Sequence, residues 1–209
     1  MHAFTPDEAK RFLGAARGTR HGVLFTLALD SGMRPSEYLA LKWSDVDFKR
    51  GTVTVQRSVT FTRGGWSFTE TKTPRSRRTV PLTSATLDGL RFHKARQAEE
   101  RLRLGEHWHD HGLVFTDCTG EPIDRHNLNH RHFKPLLSTA DLGGHFRLYD
   151  LRHACATLLL QKGINPKVVS GRLGHASIVQ TLDTYSHVLP DMQQAAVDVM
   201  AEITEALGR

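Results

Sequence analysis

The chain is poor in cysteine and in long hydrophobic runs, and both absences narrow its class. Cys118 and Cys155 are its only cysteines; they form no CxxC motif and are too few for a disulfide framework. Its longest apolar stretches, residues 23–29 and 154–160, are far shorter than the roughly 20 residues that span a bilayer. The first residues show no basic segment leading into an apolar one, as a signal peptide would. We therefore expect a cytoplasmic protein with no membrane partner.

The chain has fewer acidic than basic residues. The 28 lysines and arginines outnumber the 22 aspartates and glutamates, which gives a net charge of +6 and a sequence pI near 9.6. Many soluble proteins are mildly basic, but this balance favours a polyanionic partner such as DNA. The arginines that we expect to be exposed and to contact DNA phosphates rather than bases are Arg75, Arg77, Arg78 and Arg131.

Capping signals and hydrophobic periodicity predict a mostly α-helical α+β protein. Thr5, Pro6 and Glu8 have the residue types and spacing of a helix N-terminus with a capping box, which predicts a helix to about residue 16. Further helices are predicted over residues 21–31, 35–41, 84–104, 124–138, 149–162, 166–174, 177–187 and 190–207. The chain shows no linker, and we expect one domain over residues 1–209.

The segment between residues 43 and 81 is rich in β-branched and aromatic residues. Gly51, Gly64 and Gly65 supply turns within it, so the segment predicts a small antiparallel β-sheet of about three or four strands. Lys72 is expected at the mouth of a hairpin whose loop is residues 73–76. Another short strand is predicted over residues 113–115.

Five basic or phenolic side chains suit phosphoryl transfer. The phenol oxygen of Tyr185 can attack phosphorus, and the guanidinium groups of Arg34 and Arg152 can grip a phosphate with paired hydrogen bonds. His175 can donate a hydrogen bond to a phosphate oxygen, and Lys72 can protonate the departing 5′ oxygen. Arg34 is also predicted at a helix N-terminus, where free N–H groups favour an anion.

In order and spacing, these residues resemble the tyrosine recombinase (phage integrase) family. The matching positions are Gly32, Arg34 and Glu37; Thr71, Lys72 and Thr73, with Ser76, Arg78 and residues 80–82; Leu151, Arg152 and His153; Leu173, Gly174 and His175; and Thr181, Tyr185 and His187. The resemblance implies an integrase-like catalytic domain of DNA breaking-rejoining enzymes, which recombines specific DNA sites through a covalent 3′-phosphotyrosine on Tyr185. It implies double-stranded DNA as the partner, and neither ATP nor a metal as a cofactor. The other catalytic residues that it implies are Arg34, Lys72, Arg152 and His175.

Two features depart from the family pattern. Tyr149 stands where the family usually carries histidine, and a phenol is a poor base near pH 7, although it can partly replace the histidine as a hydrogen-bond donor. Integrases also usually carry a helical DNA-binding domain before the catalytic one, so we expect an isolated catalytic domain that binds DNA weakly. Glu37 and His153 are expected to support the site, Glu37 by pairing with an arginine.

The predicted last helix carries an apolar stripe. Its members are Val197, Met200, Ile203 and Leu207. The stripe either packs on its own domain or, as the resemblance implies, docks on a neighbouring copy in a homo-oligomer on DNA. A stripe without a partner would form an exposed apolar patch.

Two other functions are compatible with the same residues. A catalytically silent DNA-binding or regulatory module is favoured by Tyr149 and by the lack of the preceding domain. A type IB topoisomerase would share the chemistry without exchanging strands.

A histidine-rich segment raises the question of a metal site. His107, His109 and His111 alternate along the chain, and alternating histidines can chelate a metal. The segment is polar and has no supporting cysteines, so a solvated loop is the favoured interpretation.

Overall fold

The computed structural model describes residues 3–70 and 77–186, and positions 197–198, 200–201 and 203–204. Its helices are α1 Pro6–Ala16, α2 Gly22–Ser31, α3 Pro35–Tyr38, α4 Ser84–Leu104, α5 Arg125–Asn127, α6 Lys134–Thr139, α7 Asp150–Gln161, α8 Pro166–Leu173 and α9 Ile178–Tyr185. Its strands are β1 Val46–Asp47, β2 Thr52–Val55, β3 Arg57–Thr62, β4 Gly65–Glu70 and β5 Arg78–Pro81. A π-helical turn, Leu128–Phe133, joins α5 to α6. No helix within these ranges combines the length and the apolar character needed to cross a membrane.

Helix α1 begins where its capping signals predict. Thr5 Oγ1 accepts a hydrogen bond from the Glu8 N–H at 3.2 Å, and Glu8 Oε2 accepts one from the Thr5 N–H at 2.8 Å. The buried face of α1 carries Phe12, whose ring centroid lies 5.5 Å from that of Phe25 on α2 and 5.2 Å from that of Phe133. Edge-on ring pairs of this kind add about 0.5–1.5 kcal/mol beyond the burial of area. Aromatic packing therefore fixes α1 against the centre of the core.

Helix α2 lies inside the helical layer and ends in a turn that leads to the site. Leu24 and Phe25 are fully buried, and the helix packs on α1, α4 and α7. It ends at Gly32, whose φ of +66° is a conformation that glycine adopts without a steric penalty. A Cβ at Gly32 would lie 2.8 Å from Leu173 Cδ2 and 3.1 Å from Cys155 Sγ. The missing side chain therefore lets α7 and α8 approach this turn closely.

The strands form two small antiparallel sheets rather than the single predicted sheet. One has the order β1-β2-β5, and the other is the hairpin of β3 and β4. Val53 of β2 pairs with Val80 of β5, and both face the core. Strands β2 and β3 are separated at Gln56, where the side chains of Gln56 and Arg57 both donate to the buried carboxylate of Asp45.

The strand predicted over residues 113–115 is wrong. Leu113 forms only an isolated bridge with Lys42. The carbonyl of Val114 accepts hydrogen bonds from His93 Nε2 at 2.7 Å and from Gln97 Nε2 at 3.1 Å. Polar side chains of α4 therefore take the carbonyl that a neighbouring strand would use.

The later helices begin at their predicted caps. Asp124 and Ser177 each accept a hydrogen bond from a backbone N–H two or three residues further on. Helix α8 ends at Gly174, which has a φ of +70°. Helix α9 ends at Tyr185, slightly earlier than predicted, and His187 lies outside the described residues.

The predicted last helix falls mainly outside the described residues. Positions 197–198, 200–201 and 203–204 are helical. Val197, Met200 and Ile203 are each more than half exposed, and Leu207 is not among the described positions. This exposure is what an apolar stripe without a packing partner shows.

We expect Gly32→Ala to lower the free energy of unfolding by about 1–3 kcal/mol, because alanine is strained at this positive φ and its methyl group would press on Leu173. Gly14→Ala in α1 is the matched control. Nothing lies within 4 Å of the methyl group that it adds, and a helix interior favours alanine over glycine by about 0.5–1 kcal/mol. Urea denaturation measures both changes. Equal stability of Gly32→Ala and the wild type would contradict the role given to this turn.

Candidate active site

Arg34 lies at the start of α3, directly after the Gly32 turn. Its backbone N–H donates to Glu37 Oε2 at 2.8 Å, and its Nη1 donates to Glu37 Oε1 at 2.9 Å. Glu37 thus occupies the Arg34 N–H, so that group is not free to bind an anion as predicted, and α3 is only four residues long. The capacity to bind an anion lies instead in the Arg34 side chain, which is one-third exposed.

Glu37 is a buried carboxylate between two guanidinium groups. Besides its bonds with Arg34, it accepts hydrogen bonds from Arg78 Nη1 at 3.1 Å and Nη2 at 2.8 Å. Burial by itself would raise the pKa of Glu37, but the hydrogen bonds and charge of Arg78, and then those of Arg34, hold the pKa below its ordinary value. The carboxylate is therefore charged at neutral pH and orients both arginines. The expected pairing of Glu37 with an arginine is present.

Arg78 is buried, so the prediction of an exposed DNA-contacting arginine is wrong at this position. Only 7% of its side chain is exposed, and its Nε donates to Arg172 O at 2.8 Å. A Cβ at Gly174 would lie 2.8 Å from Arg78 Nη1, so the glycine turn is packed against the guanidinium. The burial of Arg78 could not be predicted from the local sequence, because its carboxylate partner, Glu37, lies 41 residues away in the chain. Arg78 thus joins β5 to the turn that carries His175.

Arg152 carries a buried guanidinium whose partners are carbonyl groups rather than a carboxylate. Its Nη1 donates to Gly32 O at 2.7 Å and to Leu173 O at 2.8 Å. Its Nη2 is buried and has no hydrogen-bond partner among the described residues. Burial, and then repulsion by Arg34, lowers the pKa of Arg152 to about 10, so the group is still protonated at pH 7. A spare buried donor beside a second guanidinium favours an incoming anion.

Tyr185 lies at the end of α9 with its hydroxyl group against α7. The phenol oxygen is 2.7 Å from His153 Nδ1, and Tyr185 is only 2% exposed. Burial raises the pKa of Tyr185 to about 12, and the charge of Arg152 opposes this rise. The phenol is therefore protonated at neutral pH and has to lose a proton to act as a nucleophile.

His175 follows Gly174 in the turn after α8. Its Nδ1 lies 2.8 Å from Thr181 Oγ1. Burial, followed by the charges of Arg152 and Arg34, lowers the pKa of His175 to about 4, so the imidazole is neutral at pH 7. When Thr181 donates to Nδ1, the ring proton lies on Nε2, which can then donate to a phosphate oxygen.

Tyr149 lies just before α7, at the edge of the site. It is 38% exposed, and its ring centroid is 5.0 Å from that of His153. The residue that contacts the phenol oxygen of Tyr185 is thus His153, one helical turn beyond Tyr149.

The described members of the predicted catalytic set lie in one region. The charges of Arg152, Arg34 and His153 lower the pKa of His175. The charge of Arg152 also acts to lower the pKa of Tyr185. The guanidinium groups of Arg34, Arg78 and Arg152 meet the carboxylate of Glu37 here, which leaves positive charge close to the phenol group of Tyr185.

The other predicted residues are surface positions or lie outside the described part of the chain. Arg77 and Arg131 are exposed. Lys72 and Arg75 fall outside the described residues. Contact of these side chains with DNA stays a prediction.

Asp30, at the end of α2, is a supporting residue that the sequence analysis missed. Its carboxylate accepts hydrogen bonds from the Thr83 N–H, Thr86 Oγ1 and Arg172 Nη2. It therefore holds the start of α4 and the end of α8 to α2, while the Arg172 carbonyl holds Arg78. A carboxylate in the last turn of a helix is repelled by the negative end of the helix dipole, so it needs a tertiary partner. The acidic residue at the end of this predicted helix was therefore a signal that could have identified Asp30.

The histidine-rich segment is held by a carboxylate. His109 Nδ1 lies 2.7 Å from Glu121 Oε1, and His111 Nε2 lies 3.2 Å from Oε2 without hydrogen-bond geometry. Trp66 Nε1 also donates to Glu121, at 3.0 Å. Within the described ranges, no group of three or more histidine, cysteine or acidic side chains is arranged to hold a metal ion.

Comparison with known proteins finds similarity over nearly the whole chain. The sequence profile of the phage integrase family matches residues 2–192. A protein named tyrosine recombinase XerC-like, from Caldanaerobacter subterraneus subsp. tengcongensis, is 34% identical over 97% of this chain and 54% of its own length. The chain spans about half the length of the curated relatives that it matches.

Solved structures share the fold. The Tn1549 transposon integrase, in complex with transposon right end DNA, superposes with a TM-score of 0.82 at 22% identity, over 96% of this chain and 66% of that chain. The catalytic domain of bacteriophage HP1 integrase superposes with a TM-score of 0.60 at 20% identity, over 95% of this chain and 94% of that chain. The predicted integrase-like α+β fold is confirmed.

We expect Arg78→Ala to lower the free energy of unfolding at pH 7 by about 3 kcal/mol, the low end for breaking a buried ion pair, because Arg34 still neutralises Glu37. The exposed neighbour Arg77 is the matched control, and Arg77→Ala should change stability by less than about 0.5 kcal/mol. Urea denaturation measures both.

The deficit of Arg78→Ala should also depend on pH. A carboxyl with a lowered pKa stabilises the folded state above its ordinary pKa of 4.5, and this contribution is lost as pH falls through the lowered pKa. The deficit should therefore shrink in acid. An Arg78→Ala protein as stable as Arg77→Ala at pH 7 would contradict the ion pair.

Proposed function

This chain belongs to the phage integrase family, and we propose that residues 1–209 act as the catalytic domain of a site-specific DNA recombinase. The observation that carries the proposal is the buried guanidinium of Arg152, whose Nη2 is a spare donor close to Arg34 and Tyr185. Relatives named as tyrosine recombinases and integrases support the same reaction. The site offers one phosphate group both positive charge and a hydroxyl nucleophile.

DNA cleavage begins with attack of the Tyr185 phenol oxygen on phosphorus. Negative charge develops on the non-bridging oxygens, and Arg34 and Arg152 stabilise it with charge-assisted hydrogen bonds. His175 donates a further hydrogen bond from Nε2. The bond from phosphorus to the 5′ oxygen breaks, and the 3′ phosphate remains on the tyrosine.

Lys72 is the proposed proton donor for the departing 5′ oxygen. An ammonium group within hydrogen-bond reach of the departing oxygen can release a proton to it as the alkoxide forms. Attack of a 5′ hydroxyl group on the phosphotyrosine then reverses the step and rejoins the DNA. The covalent bond to Tyr185 retains the energy of the phosphodiester, so rejoining needs no ATP.

Double-stranded DNA is the proposed partner. The net charge is +6, and a groove beside the site is lined by Arg125, Arg147 and Tyr149, among others. The arginines proposed to contact the DNA backbone are Arg75, Arg77 and Arg131. Such contacts supply affinity and a steep salt dependence rather than sequence specificity. The proposed location is the cytoplasm.

Assembly on DNA is also part of the proposal. Val197, Met200 and Ile203 are exposed apolar side chains near the end of the chain. Apolar side chains at helical spacing are suited to dock on a neighbouring copy, and a homo-oligomer of this kind would couple cleavage to assembly.

We expect Tyr185→Phe to abolish covalent protein–DNA adducts while changing DNA affinity by less than about threefold. The substitution removes the nucleophilic oxygen but leaves the guanidinium groups that bind phosphate. Adducts are measured on denaturing gels with a pool of nicked duplexes whose sequence around the nick is randomised. Filter binding at fixed salt measures affinity.

Each outcome of this experiment has a distinct meaning. Adducts that persist in Tyr185→Phe would refute Tyr185 as the nucleophile. DNA binding without adducts in the wild type would favour a silent DNA-binding module. Relaxation of supercoiled DNA without strand exchange would indicate a topoisomerase.

A further inference from the structure

Tyr185 needs a proton acceptor, and Tyr149 cannot serve as one near neutral pH. Burial raises the pKa of Tyr185 to about 12, so very few molecules carry a phenolate at pH 7. Tyr149 offers a phenol, which donates a hydrogen bond far more readily than it accepts a proton. The acceptor therefore has to be another residue.

His153 meets the geometric requirement. Its Nδ1 lies 2.7 Å from the Tyr185 oxygen, and the two ring centroids are 5.7 Å apart. His153 is 7% exposed and Tyr185 is 2% exposed, so solvent has little access to the hydrogen bond between them. A general base has to lie within hydrogen-bond reach of the proton that it removes.

We propose that His153 Nδ1 accepts the proton of Tyr185 during DNA cleavage and returns it during rejoining, an inference that rests on the proposed function. In the forward step, the O–H bond of the phenol breaks and the proton joins the neutral imidazole to give an imidazolium. The phenol oxygen bonds to phosphorus as the bond to the 5′ oxygen breaks, and that oxygen takes a proton from Lys72. In the reverse step, the tyrosine oxygen leaves phosphorus and recovers its proton from His153.

The surroundings of His153 suit this role. Burial lowers the pKa of His153 below its ordinary value, Asp150 opposes this, and Arg152 lowers it further, so the imidazole is neutral and able to accept a proton at pH 7. An arriving phosphate adds negative charge beside the arginines and makes the imidazolium easier to form. The titratable and charged groups around His153 are Tyr149, Asp150, Arg152 and Arg147 on or beside α7, Tyr185 on α9 and His175 after α8.

The other two candidates near the nucleophile have different contacts. His175 uses Nδ1 for Thr181 and leaves Nε2 for a phosphate oxygen. Tyr149 packs its ring against that of His153 at an interplanar angle of 59°. Its ring contact is therefore with the proposed base.

The inference is tested by the pH dependence of adduct formation on a phosphorothiolate substrate. The duplex carries a sequence recovered from wild-type adducts, with sulfur in place of the 5′ oxygen that leaves. A thiolate leaves without a proton, so the loss of the phenol proton is the only proton transfer that remains. We expect the wild-type rate to fall about tenfold per pH unit below a midpoint lower than pH 6.5, because imidazolium cannot accept a proton.

His153→Gln separates base catalysis from positioning. Glutamine can still accept a hydrogen bond from the phenol through its side-chain oxygen, but it cannot take the proton. We expect the cleavage rate at pH 7 to fall roughly 10²–10⁴-fold on both the oxygen and the sulfur substrate. The residual rate should rise with pH up to pH 9 without the wild-type midpoint. The matched control is His107→Gln, at an exposed histidine of the 3₁₀ turn Gly105–His107, which should keep the wild-type rate and profile.

The outcomes separate this inference from the proposed function. A wild type that forms no adduct overturns the proposed function. A wild type whose rate on the sulfur substrate shows no fall in acid, down to the lowest pH at which the protein stays folded, overturns the role of His153, whether or not the variant folds. A folded His153→Gln protein with the wild-type rate and midpoint overturns it as well. A rate restored by the sulfur substrate would assign His153 to the leaving group and contradict the inference.

Discussion

A buried guanidinium group that has no carboxylate partner among the described residues is the constraint on which the rest of this structure depends. Arg152 is 1% exposed, and the carbonyl groups of Gly32 and Leu173 hold its Nη1. Burying a charged group costs several kcal/mol even after the protein relaxes. The two carbonyl dipoles offset only part of that cost, because Nη2 has no hydrogen-bond partner among the described residues. A phosphate would offset the rest, so the proposed affinity for a phosphodiester would have the same origin as the local cost in stability.

Two glycine turns and one carboxylate arrange the groups around Arg152. Gly32 and Gly174 both have positive φ values, and they lie at the ends of α2 and α8, where the chain reverses next to α7. Glu37 pairs with Arg34 and Arg78, so two guanidinium groups share one charge. The arrangement holds like charges together without neutralising them, which is the electrostatic condition for stabilising a charged transition state.

Several helix boundaries could be predicted from the sequence because they depend on local signals. The capping box at Thr5 and the cap at Ser177 involve residues only two or three positions apart. The burial of Arg78 could not be predicted, since its carboxylate partner is distant in the chain. Residues 113–115 failed as a strand for a similar reason, because their carbonyls bond to side chains of α4.

The surroundings of the proposed nucleophile could not be predicted for the same reason. The sequence motif pointed to Tyr185, but its contact with His153 joins two helices and residues that are 32 positions apart in the chain. The sequence analysis considered Tyr149 instead, because tyrosine stands there in place of the usual histidine. The proposed proton transfer and the proposed phosphate binding thus depend on adjacent residues of α7, since His153 contacts the phenol and Arg152 contacts the Gly32 turn.

The most direct measurement of the central claim is a crystal structure of Tyr185→Phe bound to an intact duplex. We expect one DNA phosphate to lie within hydrogen-bonding distance of both Arg152 Nη2 and the Arg34 guanidinium group. A complex in which every phosphate lies beyond the reach of Arg152 Nη2 would contradict it.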